Sequence, residues 1–278
     1  MRIAVVGHVE WVEFARVDRV PVAGEIVDAR EGWEEAAGGG AVAAVQMAKL
    51  AGEATFFTAL GDDERGHHAR EELTAHGLRV EATMHKRPQR RALTFLDGDG
   101  ERTITVLGER LVPERSDPLP WDELAEMDAI YFTGGDAAVL EAARAARILV
   151  ATPRAGEALF APGVALDVLV RSAGDAGEEL DPESLPRPPR LVVMTHGAQG
   201  GSFLAGEGVT GHYRAAPLPG KVVDAYGAGD SFAGGLTFAL GSGLEVSDAL
   251  ALASRCGAAN LTGRGPYAGQ LRAEQLTS

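Results

Sequence analysis

Asp224 to Gly235 reads DAYGAGDSFAGG, four glycines and two carboxylates around one tyrosine. Glycines such as Gly227 and Gly229 reach backbone angles closed to other residues. The stretch that follows, SFAGGLTFALGSG, spaces its apolar residues as a helix does. Asp230 then stands at a helix start, where backbone N–H groups lack partners and attract anions. The segment reads as an anion cradle with a carboxylate at its mouth. A second set of polar residues lies near the N-terminus, in GHVEWVEF from Gly7. In extended chain, positions 8, 10 and 12 share a face. His8 and Glu10 are thus expected to look into one cleft and Glu13 away from it.

These residues need a frame. RIAVVGH has the form of a buried strand, and ATFFTALG, DAIYFTGG, RILVATP, ALDVLVRSAGD and RLVVMTHG are further strands. AVAAVQMAKLAG, DDERGHHAREELTAHG and DAAVLEAARAA are helical, as are two segments near 230–241 and 247–260. Repeated alternation of strand and helix predicts an α/β fold, with a central, mostly parallel β-sheet sandwiched by helices. RRALTFLDGDGERTITVLG reads as a hairpin around Asp97–Gly100. Two extended stretches, about 11–31 and 90–107, fall outside the alternation and are expected to form a small β lid. The proline-rich DPESLPRPP is a surface connection, so residues 1–278 are read as one domain.

Bulk properties narrow the function. The 278 residues are 45% hydrophobic and 24% charged, ordinary for a globular domain that buries a core without cross-links. A net charge of −14 disfavours nucleic-acid and anionic-membrane partners. One cysteine, Cys256, rules out an intrachain disulfide and a cysteine-rich zinc site. The first apolar run is too short for a signal peptide or membrane span, and a cytoplasmic protein is expected.

Three motifs in order resemble those of the ribokinase-like (PfkB) sugar and nucleoside kinases, over nearly the whole chain. DAYGAGDSFAGG is similar to a D-T-x-G-A-G-D-x-F-x-G signature. GGGAVAAVQMAKLAGEATFFTALGDDERG is similar to the N-terminal one, and VVMTHGAQGG resembles a T-x-G-x-x-G nucleotide loop. The resemblance implies a ribokinase-like fold and ATP-dependent transfer of a phosphoryl group to a hydroxyl of a sugar-like or nucleoside-like acceptor. It makes Asp230 the general base, with backbone N–H groups of Gly227, Ala228 and Gly229 facing the charge on the phosphate. A helix cap is the plainer alternative for Asp230. It lays Thr195, Gly197 and Gly200 along the nucleotide, where an ordinary glycine turn would also account for them. Gly257, with Ser254 and Ala258, either admits adenine or lets helices pack closely. Gly38, Gly39 and Gly40 are placed against the acceptor, together with His8 and Glu10.

ATP phosphates call for Mg2+. Where such kinases have an N-x-x-E motif this chain has Ser172 and Asp175, a hydroxyl for the amide and a shorter carboxylate, so Asp175 is either a metal-ordering carboxylate or a solvated loop acid. The acceptor strand departs further. Where relatives read G-x-x-N-x-D, this chain has Glu10 for the asparagine and Val12 for the aspartate, and Val42 stands where an asparagine often follows the glycines. Ribose and fructose are therefore expected to be poor acceptors. An apolar or base-like portion, or a basic group pairing with Glu10, is expected instead. A catalytically silent binding protein on the same fold is the alternative. Lid pairing between two subunits, giving a homodimer, is also expected. Arg154 is read as a surface ion pair or a contact for a substrate anion. His67, His68, Glu34–Glu35 and Glu178–Glu179 are read as solvated.

Overall fold

The computed structural model describes residues 1–276. Thirteen strands form two sheets. The large one contains β1 (Ile3–Val6), β4 (Ala54–Gly61), β5 (Leu78–His85), β8 (Ala129–Phe132), β9 (Ile148–Ala151), β10 (Val168–Ser172), β11 (Leu191–Thr195), β12 (Gly201–Ala205) and β13 (Val209–Tyr213). Their order is β13-β12-β11-β10-β9-β8-β1-β4-β5. Every neighbouring pair is parallel except β11–β12 and β12–β13. β1 shows why the sheet needs cover on both faces. Ile3 and Val5 belong to one apolar core and Ala4 and Val6 to the other, all of them buried. The first core packs under α1 (Gly39–Ala51), α4 (Ala228–Gly241) and α5 (Val246–Asn260), and the second under α3 (Ala137–Ala143) and the Trp121 turn.

α2 (Glu64–Ala75) starts as its sequence dictates: the Asp63 carboxylate accepts from Gly66 N at 2.9 Å. A Cβ on Gly66 would fall 1.9 Å from Gly61 O, so that helix can sit on the end of β4 only with glycine there.

The second sheet has the order β3-β2-β6-β7, made of β2 (Glu10–Arg16), β3 (Glu31–Ala37), β6 (Arg91–Leu96) and β7 (Arg102–Leu107). The β6–β7 hairpin turns where expected, with the Asp97 carboxylate accepting from Asp99 N and Glu101 N at 3.0 Å each. The other lid segment is corrected. Residues 17–30 are loop, and the strand pairing with β2 is β3, which starts only where the expected segment ended. Pro21 and the positive φ of Gly24 break the chain between them. Among the described residues, no helix is long and apolar enough to cross a membrane.

Candidate active site

The carboxyl ends of parallel strands are where open α/β sheets bind ligands. β1 runs out toward His8, β8 toward Thr133, β9 toward Arg154, β10 at Ser172 and β11 at Thr195. Over this edge stands the start of α4. Gly227 caps it in the left-handed region, with φ 79° and ψ 4°. Ser231 N donates to Gly227 O at 2.8 Å, which leaves the N–H groups of Ala228, Gly229 and Asp230 without a helical acceptor. Asp224 holds the preceding turn in shape: its buried carboxylate accepts from Tyr226 N at 2.8 Å and Gly265 N at 2.9 Å.

Asp230, on the first turn of α4, lies against the glycine run. A Cβ on Gly39 would come 2.8 Å from Asp230 Oδ1, and one on Gly40 would come 2.8 Å from His8 O. Gly38, at φ 91°, backs onto Glu10 N and His8 Cδ2 at 3.2 and 3.4 Å by the same measure. The fold therefore brings Asp230, Gly38–Gly40, His8 and Glu10 to one place. His8 precedes β2 and is not part of it, yet its Nε2 is 3.9 Å from Glu10 Oε1. Val12 is fully buried, and Glu13 turns the other way to pair with Arg91.

Burial raises the Asp230 carboxyl above its ordinary range, with Arg102 and Arg154 opposing and Asp175 adding to the effect. His8 is pushed well below the usual histidine range by burial, then by Arg110, Arg90 and Arg154, so it is neutral. Arg110 Nη2 lies 2.7 Å from His8 Nδ1 and must donate to it, which places the ring proton on Nε2, toward Glu10. Glu10 is raised by burial against the pull of Arg90 and Arg110. Arg90 Nε stands 3.0 Å from Glu10 Oε1. Glu10 therefore already has a cationic partner within the protein.

Other side chains are placed in ways that their sequence neighbours do not indicate. Glu178 is not solvated: its Oε2 accepts from Ser172 N at 2.6 Å, and burial followed by the Asp230 charge raises its carboxyl. Glu35 is not solvated either; burial, then Glu72, pushes it up to about 7. Arg154 is an ion pair, bonded to Asp175 and 3.7 Å from Glu178, but one turned toward the site. Asp175 is engaged there and also accepts from Gly177 N at 2.9 Å; burial opposes its ionisation, yet these bonds hold its carboxyl below the usual range. Arg90, Arg102 and Arg110 carry no motif or periodicity; they lie just before, within and just after the hairpin.

Thr195 ends β11 beside Ser172 of β10. Gly197 and Gly200 both have positive φ, and a Cβ on Gly200 would fall 2.1 Å from Tyr213 O, so this turn needs glycine for packing whatever it binds. Gly257 lets α5 approach α4, its would-be Cβ lying 3.2 Å from Ala228 O. Among the described residues no cluster of three or more His, Cys, Asp or Glu side chains forms a self-contained metal cage.

The model of the pfkB family of carbohydrate kinases matches residues 1–167 and 167–273. The chain belongs to that family. It is 28% identical over 272 residues to an ATP-dependent ribose-1-phosphate kinase of Halopiger xanaduensis, covering 93% of this chain and 91% of that one. It is 25% identical over 275 residues to a ribokinase of Lactococcus lactis, covering 91% and 88%. The fold is that of ribokinase from Thermotoga maritima, with TM-score 0.78, 22% identity and coverage of 100% and 98%. Arabidopsis thaliana ribokinase complexed with ribose and ATP gives TM-score 0.76, 20% identity and coverage of 99% and 97%. This kinase therefore has the ribokinase-like architecture and carries out ATP-dependent phosphotransfer to a sugar or nucleoside acceptor.

Proposed function

We propose that Asp230 is the general base of this kinase and that the acceptor hydroxyl lies between it and the Gly38–Gly40 run. The observation that carries the reading is the position of Asp230, on the first turn of α4, pressed against Gly39 and beside unpaired backbone N–H groups. The acceptor oxygen attacks the γ-phosphorus of ATP, the bond from that phosphorus to the bridging oxygen of ADP breaks, and the hydroxyl proton passes to the Asp230 carboxylate. The N–H groups of Ala228, Gly229 and Asp230 receive the charge that develops on the transferred group. Gly227 supplies the turn that aims them. Thr195, Gly197, Gly200 and Gly257 take the nucleotide side.

The carboxylates of Asp175 and Glu178, which act electrostatically on or with Asp230, are hard oxygen donors that would hold Mg2+ when ATP binds. Bound there, the ion neutralises phosphate charge. A single buried cysteine and an ATP-dependent activity suit the cytoplasm.

The lid also favours a homodimer. Val12, Phe14, Ala92, Thr94 and Leu96 are buried, and the β6–β7 register continues their face through Ile104 and Val106. Those two are 42% and 47% exposed on an edge strand, which a second lid would cover. The experiment for the catalytic reading is ADP release across sugars, polyols, nucleosides and their phosphates. Acceptor-dependent turnover is the expected result; no turnover with any acceptor would favour a binding protein.

A further inference from the structure

Lysine is rare in this chain: Lys49, Lys86 and Lys221 stand against 23 arginines. Lys86 and Lys221 are exposed, while Lys49 is half-buried on the last turn of α1. It lies ten residues along that helix from Gly39, about 15 Å away at 1.5 Å per residue, and so outside the phosphotransfer site. Its Nζ donates to Tyr267 O. No ion pair among the described residues includes it. Two more basic groups act around it, His76 at the end of α2 and Arg272 in the C-terminal segment. The His76 ring lies 4.4 Å from the Tyr267 ring. Glu72, one turn back on α2, accepts from Ala36 N instead.

A cation at a helix C-terminus is ordinary, but arginine, which this chain uses nearly everywhere else, would stay charged under burial. A lysine can lose its proton there. Burial, then the Arg272 charge, lowers the Lys49 pKa to about 8. Burial, then Lys49 and Arg272, holds His76 below the usual histidine range. Near pH 8 a large share of the molecules thus carries a free amine beside a neutral imidazole. The Tyr267 carbonyl takes one N–H and leaves the nitrogen lone pair open.

We propose that Lys49 is a modification site that takes up CO2 as a reversible carbamate, held by Arg272 and formed with His76 as proton acceptor. The nitrogen lone pair makes the N–C bond, one C–O π pair moves onto oxygen, and an N–H proton passes to His76 and on to water. The product is the anion Lys–NH–COO−. It replaces a cation that burial penalises with an anion beside two basic groups. An acyl group would leave a neutral amide and give Arg272 no partner. A half-buried amine also admits a small linear molecule more readily than an acyl donor on a carrier. The inference is independent of which acceptor the kinase uses.

The test uses the full chain near pH 8 with isotope-labelled bicarbonate, which supplies CO2 by equilibration. Alkylation of carbamates with triethyloxonium, then proteolysis and mass spectrometry, reads all three lysines at once. The ethyl carbamate is expected on Lys49, with far less on exposed Lys86 and Lys221 as internal controls. A labelled carbamate resonance should appear in the wild-type spectrum and vanish in Lys49→Arg, checked for an unchanged melting temperature. Arg272→Gln should weaken CO2 uptake by roughly 10-fold, the scale of one charge-assisted hydrogen bond. His76→Gln should slow uptake and leave the amount at equilibrium nearly unchanged, a split that a loss of structure would not produce. Equal trapping on the three lysines, a resonance that survives Lys49→Arg, or no trapped carbamate on Lys49 in the wild type would overturn the proposal.

Discussion

The carboxyl of Asp230 must be ionised to accept a proton, and burial raises the pH at which it ionises. The acid limb of kcat/KM is therefore expected above the ordinary aspartate value of 3.8. Arg154 opposes the rise, so Arg154→Gln should move the limb to higher pH; a limb that stays in place would show that Arg154 does not act on the base. Gly39 makes a second test. A Cβ there would sit 2.8 Å from Asp230 Oδ1, so Gly39→Ala should displace the carboxylate and lower kcat by at least ~10-fold, with little change in melting temperature. Asp230 and the glycines around it were legible in sequence because a helix start with unpaired N–H groups is a local property. Arg110 was not, because its meaning comes from His8, 102 residues away in the chain. Glu178 was hidden by its neighbour Glu179: two adjacent acids look solvated until β10 turns one inward to Ser172 N.

At the level of elements, the root of the lid is where β3 meets the loop after α5. Trp33 stacks on Phe14 with ring centroids 4.9 Å apart, Arg264 lies over Trp33 at 4.5 Å, and Glu35 sits beneath them against Gly265. Burial and Glu72 raise the Glu35 carboxyl from 4.5 to about 7, so the folded state holds a proton that the unfolded chain releases near 4.5. Its contribution to stability is complete below that value and is lost as pH rises through about 7. Thermal unfolding at pH 5 and pH 8 should show a smaller loss in Glu35→Gln than in wild type; equal losses would remove Glu35 as the cause. The strands and helices of the main sheet were readable because each is a continuous apolar or periodic run, as in fully buried β4. The bounds of β3 were not legible because its exposure alternates and its sequence, EGWEEAA, carries few β-forming residues. What fixes it is pairing with β2 from Glu10 to Arg16, a tertiary contact.

For the whole molecule, one lid face stays exposed at Ile104 and Val106. Ile104→Glu with Val106→Glu should turn a dimer into a monomer in light scattering at micromolar concentration, and a wild type that is already monomeric would contradict lid pairing. The main sheet, the glycine run and α4 meet at one edge, and the proposed mechanism puts the Asp230 carboxylate there between acceptor and nucleotide. The most direct test of that arrangement is steady-state phosphotransfer by Asp230→Asn, with ADP release and product mass followed together and acceptor binding measured beside them. A fall in kcat of at least ~100-fold, with acceptor affinity and melting temperature close to wild type, is the expected result. Turnover near the wild-type rate would contradict it and remove Asp230 from the reaction.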